Sequence, residues 1–138
     1  MGDSYMDPPQ SGVYRAPAEM GGVRDAAKRA QLAWFELNLG RVGNKREFLA
    51  TCARGLRFPE WFGRNWDALA DCLKDLAADC VVNCRNGEKF AAAAPDDYAT
   101  ALEVFRDAAN YWGERGCVFV VLLDHEPAGV ALPRLPGA

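Results

Sequence analysis

Phe58-Pro-Glu-Trp-Phe-Gly-Arg-Asn-Trp-Asp-Ala-Leu-Ala-Asp-Cys-Leu-Lys-Asp-Leu76 is the stretch from which the rest of the chain can be read. Aromatic residues around Gly63 lead into a helical pattern in which Trp66, Leu69, Cys72, Leu73 and Leu76 share one face. Asn65 stands at the N-cap, where a side-chain oxygen can take an otherwise unpaired backbone N–H. Asp67, Asp71 and Asp75 fall on one arc opposite the apolar stripe, so three carboxylates face water together. Like charges one turn apart repel by about 0.2–0.5 kcal/mol per pair, and Asp75 lies near the helix end whose dipole disfavours an anion. Local rules broken without visible compensation point to function; the bland alternative is a solvated helix face.

Working outward, the 138 residues suffice for one domain with a single core. Half are apolar and 25% are charged, a globular composition. The formal net charge of -3 argues against nucleic acid as a direct partner, because that binding rests on clustered positive charge. The distribution says more: residues 1–58 carry a net of +3 and residues 59–138 a net of -6. The acidic half, which holds the aspartate helix, suits a basic protein partner.

Cys52, Cys72, Cys80, Cys84 and Cys117 are odd in number and sit in apolar segments, which predicts reduced, mostly buried thiols. With no signal peptide or transmembrane run, the expected compartment is the cytoplasm, with no membrane partner. Cys80 and Cys84 have the spacing of half a zinc site, but His125 is the lone histidine and both cysteines lie in an expected strand; no metal and no cofactor are expected.

Along the chain, residues 1–11 are expected as a disordered tail and 12–30 as an extension, with a short strand at 12–15 and a short helix at 23–30. Leu32 to Leu39 alternates as a strand. Asn44 with Glu47 has capping-box spacing for a helix burying Phe48, Leu49, Cys52, Ala53 and Leu56 and ending at Gly55. Cys80 to Cys84 is a second strand, turned by Asn86-Gly87, and residues 88–93 form a helical turn. A helix over 95–112 buries Tyr98, Ala101, Leu102, Phe105, Ala108, Ala109 and Trp112, and Val118–Leu123 reads as a buried parallel strand. Residues 125–138, with three prolines and few anchors, are expected as a mobile tail. Alternation of strands and helices makes the class α/β.

The chemistry of catalysis is hard to assemble. There is no Ser or Cys beside a credible base, so no nucleophilic triad. A Gly-rich phosphate loop is missing too. Asp67 and Asp71 as an acid–base pair of a small hydrolase is a minor alternative that leaves the aromatic loop unexplained. The chain is therefore not expected to be an enzyme.

The stretch Phe58–Leu73 resembles the signature of the barstar family, intracellular inhibitors of the ribonuclease barnase: an apolar residue, Pro, two aromatics, Gly63, Asn65, Asp67-Ala-Leu69 and Asp71. The resemblance continues through Val104-Phe-Arg-Asp-Ala108 and Gly116-Cys117, covering residues 31–124. It implies a two-layer α/β domain with a three-stranded parallel sheet in order 1-2-3, to which the N-terminal segment adds one further strand and helix if both form. It also implies a one-to-one complex with a basic, extracellular-type ribonuclease of the barnase or guanyl-specific class. Asp71 corresponds to the carboxylate that enters the enzyme's phosphate pocket, Asp67 to a second anion, and Trp61 to an aromatic contact; Phe62 belongs to the same face. Gly63 would hold the loop by backbone freedom and Asn65 as cap, while Asp107 takes an acidic position on the rim. Trp61, Phe62 and Trp66 have core packing as their alternative. Departures from the best-known member are Ala70 in place of Trp, Lys74 in place of a small polar residue, and about one extra turn before Gly116, so the expected enzyme is not barnase itself. A regulator with a basic, non-ribonuclease partner is the other reading of the acidic face.

Overall fold

Four short segments, two of them buried along almost their whole length, become strands of a single parallel sheet. The computed structural model describes residues 9–59, 62–76 and 79–135. In chain order the elements are β1 (Gly12–Arg15), α1 (Gly21–Arg29), β2 (Ala33–Asn38), α2 (Lys45–Gly55), α3 (Trp66–Asp75), β3 (Cys80–Arg85), α4 (Glu88–Ala93), α5 (Pro95–Glu114) and β4 (Phe119–Leu123). The sheet order is β1-β4-β3-β2. β2, β3 and β4 are adjacent in sequence order, as the three-stranded expectation had it, but the sheet has four strands. β1 pairs with the edge of β4 that a three-stranded sheet would leave open, Gly12 opposite Val120 and Arg15 opposite Leu123.

Side chains alternate across β3 and β4 and divide the core in two. Cys80, Val82, Cys84, Phe119, Val121 and Leu123 face α2–α5, whereas Val81, Val120 and Leu122 face Val23, Ala26 and Ala27 of α1. That second face needs cover because β4 is apolar on both sides, and α1 together with Leu135 supplies it. The expected two layers are therefore joined by a thin third.

Local chemistry sets the helix ends. Asn44 Oδ1 accepts the Glu47 N–H at 2.8 Å, while the Glu47 carboxylate takes the N–H of Gly43, one residue earlier than the capping box requires. At the other end of α2 a glycine is needed for approach: a Cβ on Gly55 would lie 2.3 Å from Leu37 Cδ2 and 3.2 Å from the Glu36 carbonyl. Pro95 opens α5 at its first turn, where its missing N–H has no intrahelical partner to lose.

Residues 125–135 have more anchors than their composition suggests. Leu132 and Leu135 are buried, Tyr98 Oη donates to the His125 carbonyl, and Glu126 pairs with Arg15 at 3.2 Å while accepting the Leu132 N–H. Ser11, placed by its sequence in the N-terminal tail, donates to the Cys117 carbonyl and accepts the Phe119 N–H. Residues 1–8 lie outside the described residues.

All five cysteines are free, four of them buried and Cys117 half-buried. Burial pushes the Cys52 and Cys84 thiols well up and Cys80 to about 12, so they stay protonated at neutral pH. Among the described residues no group of three metal-ligating side chains forms.

One polar knot sits on the α1 side of the sheet. Glu36 accepts from Trp34 Nε1 and Arg24, each at 2.7 Å, and from Asn83 at 3.1 Å, with Arg85 at 3.5 Å. Burial alone would raise this carboxyl, but the Trp34 and Asn83 hydrogen bonds and the Arg24 and Arg85 charges outweigh it and hold the pKa below 4.5. The folded form thus keeps a carboxylate that the unfolded chain protonates more readily. Its contribution is present above pH 4.5 and disappears as pH falls through the folded-state value. Urea unfolding of wild type and Glu36→Gln should therefore differ most at neutral pH and converge as the carboxyl is protonated in acid; a constant gap would deny the knot this role.

Candidate partner-binding face

The acidic face is built on α3. Leu69, Cys72 and Leu73 are buried beneath it, and Trp66 and Leu76 pack against the same core. Asn65 Oδ1 accepts the Ala68 N–H at 2.7 Å and starts the helix as expected. Trp66 has its ring centroid 5.9 Å from that of Phe48, with Lys45 Nζ 5.5 Å above it. Because that stripe is buried, the opposite arc is solvated: Asp67, Asp71 and Asp75 are all exposed. None of the three forms an ion pair among the described residues. Burial, and then the charges of Asp75 and Asp71, raise the Cys72 thiol on the inner side of the helix.

The loop before α3 departs in detail from its sequence reading. Trp61 lies outside the described residues. Phe62 is 8% exposed, with its ring centroid 5.0 Å from that of Phe58. This burial matches the core-packing alternative and leaves little of the ring at the surface. Gly63 is exposed but does not use left-handed backbone; that conformation falls to Arg64, at φ 54°. A Cβ on Gly63 would meet Asn65 Nδ2 at 3.4 Å and Ala68 Cβ at 3.5 Å, ordinary contacts, so backbone freedom is not what requires a glycine.

α5 runs beside α3. Trp112 Nε1 donates to the Leu73 carbonyl at 3.0 Å, satisfying an acceptor in the last turn of α3 that has no helical partner. An open groove of about 500 Å³ separates the two helices further towards the start of α3, with Asp67 and Ala70 on one wall and Glu103, Arg106, Asp107 and Asn110 on the other. Asp107 is exposed, as expected, but its carboxylate meets Lys74 Nζ at 3.4 Å. Lys74 therefore answers an acidic group of its own chain. The sequence reading left two residues of this end unassigned: Tyr111, and Arg115, whose guanidinium lies 3.6 Å above the Tyr111 ring. Their signal was the extra turn before Gly116, which fixes the length of α5 but not which side chains stack.

The arrangement offers chemistry for binding a cation-rich surface: three exposed carboxylates on one helix, without an ion pair among the described residues, beside a groove of mixed charge in which Arg106 pairs with Glu103 at 3.3 Å. Among the described residues no helix is long and apolar enough to cross a membrane.

No curated protein matches the chain. The family described as Barstar (barnase inhibitor) matches residues 32–124, which begin just after α1 and end just after β4. With about two thirds of its length matched, and with the aromatic loop and acidic helix inside the match, the chain belongs to the barstar family.

Proposed function

We propose that this protein inhibits a small, basic microbial ribonuclease in the cytoplasm of the cell that makes it, protecting that cell from its own toxin. One observation carries the reading: Asp67, Asp71 and Asp75 stand exposed and, among the described residues, without an ion pair on a helix whose other face is packed into the core. A ribonuclease holds its substrate's phosphates with cationic side chains, so carboxylates presented on a rigid element can fill that site and cannot be cleaved. Asp71 enters the phosphate pocket, Asp67 adds a second anion from the groove wall, and Trp61 contacts the catalytic groups. Asn65 and Phe62 hold the loop and helix in position, and Gly63 lies in the exposed part of the loop. Asp107 joins the rim by exchanging Lys74 for a partner cation, which is feasible because an exposed pair of this kind contributes at most about 1 kcal/mol.

The test is inhibition of RNA cleavage by a panel of barnase-class and guanyl-specific ribonucleases, including any encoded beside this gene. The expected result is stoichiometric one-to-one loss of activity for at least one enzyme. Full activity of every enzyme in excess protein would shift the reading to a basic partner that is not a ribonuclease, which affinity capture from the native cytosol would then identify.

A further inference from the structure

The end of the acidic face nearest the α5 C-terminus is not acidic. Lys74 Nζ lies 5.5 Å from the centroid of the Tyr111 ring and 3.4 Å from Asp107. Arg115 stacks on the same ring at 3.6 Å and donates one hydrogen bond to the Tyr111 carbonyl at 2.9 Å. Two cations are thus anchored on one aromatic ring, on helices that Trp112 ties together. Asp107 answers only one of them. Arg115 is exposed, forms no ion pair among the described residues, and keeps most of its fork of N–H donors unused. Glu114 is the neighbouring exposed charge at the end of α5, and it forms no ion pair there either.

We infer that Lys74 and Arg115, held on Tyr111, form a specificity element that accepts an acidic side chain of the partner and rejects ribonucleases whose surface at this point is basic. The inference rests on the inhibitor reading and narrows its partner: a ribonuclease with a cationic active site and a carboxylate on the adjoining rim. A planar guanidinium already stacked on an aromatic ring is pre-organised to take a carboxylate through two parallel hydrogen bonds. The same fixed charge facing another cation repels it, and such repulsion is how related partners are told apart. Because neither cation is buried, the discrimination is screened by salt.

Inhibition constants for the same ribonuclease panel, barnase included, test this with wild type, the double variant Lys74→Gln/Arg115→Gln, and Lys74→Arg. The double variant is expected to lose at least about ten-fold in affinity for the enzyme wild type inhibits best, to gain on barnase, and so to change the ranking. Lys74→Arg, which keeps the charge, should preserve the ranking. Differences between wild type and double variant should shrink at high salt. Neither substituted side chain is buried, and an unchanged thermal transition checks that the variants fold. An unchanged ranking, with wild type still inhibiting, overturns this inference and leaves the inhibitor reading standing. No inhibition of any enzyme by any of the proteins overturns the inhibitor reading and this inference with it.

Discussion

Asp71→Ala is expected to weaken the ribonuclease complex by at least about 2 kcal/mol, whereas Asp75→Ala, one turn further along the same exposed arc, should change it by less than about 0.5 kcal/mol. The larger figure is the threshold at which interface residues count as hot spots; the barstar complex is itself a standard instance, so the magnitude is that of a relative. The reason for the difference is desolvation. A carboxylate seated in a cationic pocket leaves the enzyme's charges buried and unpaired when it is removed, and that shows in the dissociation rate. A carboxylate on the rim steers the approach of a basic partner, so losing it slows association and reduces its dependence on salt. In the free protein both residues are exposed and form no ion pair among the described residues, so neither substitution should move the unfolding midpoint appreciably. Association and dissociation rates for both variants at low and high salt provide the measurement. Equal small effects would mean that Asp71 fills no pocket.

Phe48→Ala should have the opposite signature, a large loss of stability. Phe48 is 1% exposed, and its ring centroid lies 5.1 Å from that of Phe90, 5.9 Å from that of Trp66 and 6.2 Å from that of Phe105. It joins α2, on which it sits, to the first residue of α3, to α4 and to α5. Truncating a buried Phe removes its transfer free energy and leaves a cavity that a tightly packed interior closes only in part, together about 3–5 kcal/mol. Against a domain stability of about 5–15 kcal/mol this is a large fraction. Urea unfolding should show a much lower midpoint with an unchanged slope; a loss below about 1 kcal/mol would mean that the rings do not form a packed hub. For protein that remains folded, affinity should fall far less than for Asp71→Ala, since the carboxylates of α3 are untouched.

Much of this architecture was legible where periodicity and cap agree, as they do at α2 and α3. The apolar stripe of α3, the Asn65 cap and the opposite arc of aspartates are three views of one helix, and all three are present in the structure. The run Val118–Leu123 announced a strand covered on both faces, and β4, Phe119–Leu123, is one. The sequence did not settle whether the N-terminal segment completes the sheet, because a four-residue strand carries too little pattern and its partner, β4, is remote in the chain. Nor did composition reveal the anchoring of residues 125–135: it rests on two leucines, a tyrosine–carbonyl bond and Glu126, which no local period connects. At the site, exposure of the carboxylates followed from helix geometry, whereas the Lys74–Asp107 pair and the Arg115–Tyr111 stack depend on how two helices lie side by side. Phe62 illustrates the same limit, since an aromatic residue beside a glycine suits a loop surface and a core equally until its neighbour Phe58 is placed.

The pairing of β1 with β4 has a consequence for synthesis. Ser11 and Phe119, 108 positions apart, are joined by a hydrogen bond, and β4 is the strand that both β1 and β3 need as a neighbour. A nascent chain leaves the ribosome from its N-terminus, and domains fold as units once their parts are available. The aspartate helix therefore emerges well before the strand that completes the sheet behind it. A product truncated ahead of residue 119 carries every carboxylate of the face but lacks an inner strand of its frame, so the face can be fully synthesised before the sheet that holds it exists.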